Sequence, residues 1–290
     1  MSVYRAYGLA WESPIVFPAS PVCDDAPDVV VQAGAISLLD PLNCEQPYAR
    51  EIDGDRLAMS WAGLFAVELE AGQRITVWTH PDCEPYTASN LLSGAAAAVV
   101  LMQRGELVLH AGAVAGAQGA VVICGDQGSG KSTMVSALAR SGLPFVCDDV
   151  ARITVNDGVP VCARGPARTK LWPDSCAVLG VDPTTLPLVH QGHDKRSLDL
   201  EATDAEWTPV RALVLVDPDI TEPSEGVSAA RLPQLIRAGH APHLLEHFDQ
   251  ARHFTTVTQL ADAARILVVP PIRDAAAAAR VEQFVREAVG

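Results

Sequence analysis

No uninterrupted apolar run in the 290-residue chain is long enough to cross a bilayer. The longest, Ala95 to Met102, is eight residues, where a spanning helix needs about 20. Positive charge is scarce: 21 Lys and Arg stand against 35 Asp and Glu, a formal net charge of −14, and residues 1–90 alone carry −9 of it. That balance makes nucleic acid, itself a polyanion, a poor partner. The five Trp are not interleaved with basic residues as a single-strand binder would have them. The opening MSVYRAYGLAWESPIV has one Arg, no apolar core and no small-residue cleavage site. Neither a signal peptide nor a membrane is therefore expected, and a cytoplasmic location is.

There is no C-x-x-C pair. The seven cysteines, Cys23, Cys44, Cys83, Cys124, Cys147, Cys162 and Cys176, are odd in number and widely spaced. Buried thiols in a reducing compartment are expected rather than disulfides or zinc. Charged residues are 19% of the chain and Gly and Pro number 21 each, which is too few of either for a disordered or low-complexity protein.

What the chain does have is 44 alanines inside a 49% hydrophobic fraction, a composition that favours helices and close packing. At this length one large domain or two unequal ones is expected. Residues 1–88 read as short strands between turns: VYRAYGL, DVVVQAG, LFAVELEAG and QRITVWTHP, with Ala71-Gly72 between the last two. From Ala88 to Gln103 small and apolar residues fall at helical spacing, with Ser89 or Asn90 as cap. That change of pattern puts a domain boundary at residue 88, between a β-rich part (1–88) and a second domain (89–290). In the second domain GAVVIC (119–124) reads as a strand, and Lys131 to Ser141 as a helix stopped by Gly142. FVCDDV (145–150) is a further strand, and ARITV and VPVCA flank an Asn156-Asp157-Gly158 hairpin turn. Residues 164–196 read as irregular loops with one short helix. RALVLVD (211–217) is a strand, GVSAARL an alternating segment, and helical patterns lie near 233–247, 255–265 and 274–288 around ILVVP.

Between the strand and the helix, Gly125-Asp126-Gln127-Gly128-Ser129-Gly130-Lys131-Ser132 satisfies G-x-x-x-x-G-K-[ST] in the context that motif requires. Its glycines let successive backbone N–H groups turn onto phosphate oxygens, and the helix begun by Lys131, Ser132 and Thr133 adds the positive end of its dipole. Lys131 is expected to reach the β and γ phosphates and Ser132 to hold Mg²⁺. No N-K-x-D guanine-reading element is present, so ATP with Mg²⁺ is the expected ligand.

Asp148 and Asp149 end a strand of the same expected sheet, at the edge where the phosphates would lie. One carboxylate can help hold Mg²⁺, here assigned to Asp148, and the other can accept the proton of an attacking hydroxyl. Asp217, at the end of ALVLVD, fits the form of a metal-holding strand-end acid equally well, and periodicity does not choose between the two positions. His110, in LVLHAGAV, falls on an adjacent strand; by itself it reads as a core residue.

Taken together, Leu109-His110, Gly125 to Ser132 and Val146-Cys147-Asp148-Asp149 resemble, at matching spacings, the catalytic domain of the HPr kinase/phosphorylase family. The resemblance implies an α/β P-loop kinase domain of the HPr-kinase type behind the small β-rich N-terminal domain. It makes Asp149 the catalytic base and His110 its support near the γ-phosphate. After residue 150 that family's R-G-x-G-I-x-x-V signature is absent. Across most of the chain, the opening YRAYGL, the LHAGAV segment, KLWPDS (170–175) and HQGHDKRSLDL (190–200) resemble the HPr-kinase-like kinases of lasso-peptide precursors. This second resemblance implies phosphate transfer to a serine hydroxyl at the end of a precursor peptide, and a homo-oligomer. Lys195 and Arg196 are the expected cations at the transferring phosphoryl group; Arg168 and Lys170 precede Trp172. His240, His243, His247 and His253 lack the partner pattern of a zinc site and read as solvated or capping residues. Two rival readings use the same scaffold: a small-molecule hydroxyl kinase, and a nucleotide-dependent binding module with little phosphotransfer.

Overall fold

The computed structural model describes residues 1–43, 48–226 and 228–289. The N-terminal part is a seven-stranded sheet of β1 (Ser2–Ala6), β2 (Leu9–Ser13), β3 (Val29–Ala33), β4 (Tyr48–Asp53), β5 (Arg56–Trp61), β6 (Phe65–Glu70) and β7 (Arg74–Thr79). Their order is β1-β2-β3-β7-β6-β5-β4, with β3 parallel to both its neighbours. The expected strand VYRAYGL is broken at Tyr7-Gly8. Both residues take positive φ (57° and 67°) and fold β1 back on β2, as a two-residue hairpin turn requires.

A continuous helical rod, Pro85–Gln103, follows as α1 (Pro85–Leu91), a π-turn (Leu92–Ala96) and α2 (Ala97–Gln103). It starts at Pro85 with Glu84 as N-cap, not at Ser89 or Asn90, because proline's missing N–H costs nothing at the first helical position. The expected boundary at residue 88 therefore falls inside this helix. Leu92, Ala96, Ala97, Val100 and Leu101 share one core with Trp11, Phe65 and Leu69 of the first sheet and with Phe17 just after β2. Although Ser89, Asn90, Ser93 and Gly94 interrupt its apolar run, the rod is long and apolar enough to cross a membrane by length and composition. Yet 78% of its most apolar window is buried inside the protein.

The remaining chain gives β8 (Leu107–Leu109), β9 (Gly112–Gly116), β10 (Gly119–Cys124), α3 (Lys131–Arg140), β11 (Phe145–Cys147), β12 (Ala151–Asn156) and β13 (Val159–Ala163). Then come β14 (Arg168–Leu171), α4 (Pro173–Val178), β15 (Arg196–Asp199), β16 (Trp207–Val216), β17 (Ser224–Glu225), α5 (Ser228–Arg237), α6 (Gln250–Ala263), β18 (Arg265–Val269) and α7 (Ala275–Val289). The second sheet runs β11-β9-β10-β16, and β16 is long enough to serve two further neighbours. Its second half lies parallel to β18, and its first half lies antiparallel to β13, which leads through β12 to β8. Every residue of β10 is buried, as a strand covered on both faces must be. Val121 and Ile123 pack with Met134, Leu138 and Val281 from α3 and α7, while Val122 and Cys124 pack with Leu235, Val257 and Leu260 from α5 and α6.

Three expectations change. Residues 164–196 are not merely loops around α4: β14 pairs antiparallel with β15, Arg168 to Asp199 and Leu171 to Arg196. GVSAARL is not an alternating strand, since a helix starts at Ser228; Leu232, Leu235 and Ile236 supply the helical spacing that packs it on the sheet, and Val227 lies outside the described residues. Of the cysteines, Cys124, Cys147, Cys162 and Cys176 are buried free thiols, but Cys23 and Cys83 are half-buried, and Cys44 lies outside the described residues.

Candidate functional site

Strand direction gathers the candidate residues. β10 and β16 are parallel, and β9 is antiparallel to both β10 and β11. The carboxyl ends of β10, β11 and β16 therefore share one edge with the amino end of β9. The glycine-rich loop leaves β10 there, Asp148 and Asp149 follow β11, and His110 sits in the bend just before β9 rather than on a strand.

In the loop Gly128 and Gly130 hold φ of 81° and 92° and would have open space around a Cβ. Backbone conformation, not crowding, is what selects glycine at both. Ser129 Oγ, inside the loop, is a buried oxygen without a hydrogen-bond partner. Lys131, 7% exposed, folds back over the loop and donates from Nζ to Gly125 O (2.9 Å) and Asp126 O (3.1 Å). Burial lowers its pKa against the pull of Asp148.

Two carboxylates with opposite environments face that loop. Asp148 accepts from Ser132 Oγ (3.2 Å) and Thr169 Oγ1 (2.6 Å). Burial pushes its pKa up, against the hydrogen bond from Thr169. Asp149 meets Lys170 Nζ at 2.6 Å and His110 Nδ1 at 3.3 Å. Burial pushes its pKa up too, but Lys170 and His110 outweigh it and hold it well below the usual carboxylate range. Asp149 also takes a φ of 71°, a left-handed conformation that costs a non-glycine residue roughly 1–3 kcal/mol and tends to persist at functional sites. Two such carboxylates are suited to different work, one as a metal ligand and one as an acceptor of a proton.

Two glycines allow this approach. A Cβ on Gly112 would stand 2.5 Å from Val135 Cγ2 and 2.9 Å from Asp148 Oδ1, and one on Gly94, in the π-turn, would stand 3.1 Å from Lys170 Nζ. Tyr7 fixes that π-turn by donating its buried hydroxyl to Ser93 O at 2.8 Å. Gly112→Ala should therefore force α3 and Asp148 away from β9. Overpacking of this kind costs about 1–3 kcal/mol, to be read as a lowered midpoint in thermal unfolding; an unchanged midpoint would show the site to be slack.

Asp217 lies across the loop, because β16 flanks β10 on the side opposite β9 and β11. Its Oδ1 accepts from Asp219 N at 3.0 Å, and it lines a cleft with Gly125, Asp126 and Arg237. Ser132 bonds to Asp148. The expected cations make other contacts: Lys195 Nζ lies 5.3 Å over the Trp172 ring, and Arg196 Nη1 donates to Leu186 O at 3.5 Å. Among the described contacts Lys170 is the cation at Asp149, brought there by the β14–β15 ladder. Sequence reasoning missed Lys170 in that place, together with Thr169, Tyr7 and Gly94. The signals for this pair were the short alternation R-T-K-L and, for Lys170, its place at the head of KLWPDS.

No protein-family model matches the chain and no curated protein matches it. Among solved structures it is similar to the HPr(Ser) kinase/phosphatase from Coxiella burnetii, with 13% identity and a TM-score of 0.34 over 62% of this chain and 94% of that one. A likeness at that level decides neither fold nor chemistry.

Proposed function

We propose that this chain is an ATP-dependent kinase that transfers the γ-phosphate to a serine hydroxyl of a peptide or protein, with the terminal serine of a precursor peptide as preferred acceptor. The observation that carries the reading is the pair of linked carboxylates beside one glycine-rich loop: Ser132–Asp148–Thr169 on one side and His110–Asp149–Lys170 on the other. A module that only binds nucleotide has no use for the second set.

In this mechanism the loop's N–H groups and Lys131 hold the phosphates, and Lys131 exchanges the carbonyls of Gly125 and Asp126 for phosphate oxygens. Ser132 and Asp148 would hold Mg²⁺, which neutralises charge on the β and γ phosphates. The unpartnered Ser129 Oγ and the open loop glycines fit such a ligand. Asp149 orients the acceptor hydroxyl. As the hydroxyl oxygen forms its bond to the γ-phosphorus, the bond to the β–γ bridging oxygen breaks, ADP leaves, and the hydroxyl proton passes to Asp149. A carboxylate held so strongly ionised is a weak base, but a loose phosphoryl-transfer transition state asks mainly for positioning. Lys170 adds a fixed positive charge beside the transferring group, and His110 holds the Asp149 oxygen that Lys170 does not.

The acidic N-terminal part, net −9 over residues 1–90, favours a neutral or basic peptide over an acidic one, by an attraction that salt screens beyond about 10 Å at 0.1 M. The chain should be incubated with Mg-ATP and peptides ending in Ser, ending in Ala, or carrying Ser internally, and the products weighed by mass spectrometry. One added phosphate on the terminal-Ser peptide alone is the expected result. No peptide modified, with a free sugar or nucleoside phosphorylated instead, would falsify the acceptor and favour a small-molecule kinase.

A further inference from the structure

We propose that His110, Asp149 and His240 form a binding site for a divalent transition-metal ion of the zinc type, and that an ion bound there stops phosphoryl transfer by occupying Asp149. The site itself stands on geometry alone, whereas its inhibitory effect rests on the kinase reading above.

Each of the three residues offers one ligand atom, and these atoms lie within 4.8 Å of one another. His110 Nδ1 and Asp149 Oδ1 are already 3.3 Å apart, close to the spacing that two ligands at about 2.0–2.2 Å from a tetrahedral ion would have. Small side-chain rotations bring in the third. Sequence spacing set His240 beside His243, His247 and His253; the fold sets it beside His110 instead, with ring centroids 5.8 Å apart.

The two imidazoles are held in place by backbone. His110 N donates to Ala238 O (2.7 Å), His240 N donates to Val108 O (2.8 Å), and Leu109 and Gly239 form an antiparallel bridge between them. Residues one step either side of such a bridge point to the same face, so His110 and His240 are diagonal neighbours on it. The left-handed backbone at Asp149 sets the carboxylate between them. Both histidines line a cleft that opens along Gly125 to Gln127, and the side chain of His110 is 38% exposed, so an ion has a way in.

Donor chemistry chooses the ion. Two imidazole nitrogens and one carboxylate suit zinc, cobalt or nickel, whereas magnesium prefers an all-oxygen shell such as Ser132 and Asp148 begin to make. Three protein ligands leave a fourth position open toward the cleft. Lys170 holds the second oxygen of Asp149, which orients the ligand, but its charge opposes the ion. The result is a reversible site rather than a structural one.

Cobalt(II) is the probe, added to the full chain without nucleotide. Visible d–d bands that saturate at one equivalent and vanish when zinc is added are expected. His240→Ala and His240→Gln should each weaken cobalt binding by about tenfold or more. In the Mg-ATP assay with the terminal-Ser peptide, zinc should inhibit the native chain, while each variant, measured against its own zinc-free rate, should resist zinc. The site is overturned if no d–d band appears, if the band is accompanied by the intense near-ultraviolet absorption of a thiolate ligand, or if folded His240 variants bind cobalt as the native chain does. Equal zinc sensitivity in the native chain and the variants overturns the inhibitory role. A chain that binds cobalt as described but phosphorylates no acceptor, even after treatment with a chelator, overturns the kinase reading and leaves the metal site standing.

Discussion

Asp149→Asn should lower turnover by about 10²–10⁴-fold and leave ATP affinity near that of the native chain. The isosteric amide keeps the size of the side chain but cannot accept the proton, and the nucleotide's own contacts lie with the loop and with Ser132 and Asp148. The measurement is a single-turnover rate beside a nucleotide titration. Asp217→Asn should do far less, because Asp217 stands across the loop and Ser132 bonds to Asp148; reversed effects would place the reaction on β16. A companion variant tests why Asp149 is ionised. Burial raises its pKa, and Lys170 and His110 more than cancel that, so the native group stays a carboxylate until the pH falls below the usual carboxylate range. In Lys170→Met the burial loses its largest offset, the pKa rises, and activity is lost at a higher pH as acid is added. The acid limb of the kcat/KM profile should therefore move upward. A limb that stays put would mean that Lys170 does not set the charge state.

Lys131→Met should cost about 10²–10³-fold in turnover, the loss usual when one preorganised charge at a developing transition state is removed. It should also weaken ATP binding, which Asp149→Asn should not. The fold needs checking in this case, because Lys131 is a buried side chain that donates to two loop carbonyls. Methionine is chosen over alanine because it fills the same channel. Circular dichroism and the phosphotransfer assay should be run on one preparation; native turnover in a folded Lys131→Met chain would remove the loop from the chemistry.

The parts of the site that were legible in the sequence are those whose geometry is local. A strand that is apolar throughout, a run of glycines and a helix beginning at Lys131 specify one another over a dozen residues. The turn at Asp157-Gly158 was legible for the same reason. His110 beside Asp149 was visible only through a family resemblance, since nothing in an apolar strand ending in His says which strand lies next to it. Lys170 was out of reach because its place depends on β14 pairing with β15 across more than twenty residues of mostly irregular chain. The sequence favours Lys195 and Arg196 as the cations, whereas the contact with Asp149 is made by Lys170. The helix start is not legible from capping residues, because proline's fixed φ begins the helix at Pro85, ahead of Ser89 and Asn90. The π-turn leaves no periodic trace at all.

That π-turn ties the history of the two halves of the chain together. Gly94 leaves the Lys170–Asp149 pair the room a Cβ would take, Tyr7 reaches across from the first hairpin to hold Ser93, and the rod that carries the turn is packed against Trp11 and Phe65. The N-terminal sheet is thus not a cassette that recombination can exchange for another of similar shape. A replacement would have to bring a hydroxyl to one particular carbonyl and a matching apolar face to one particular helix. Drift among its strands is answerable to a carboxylate that none of them carries.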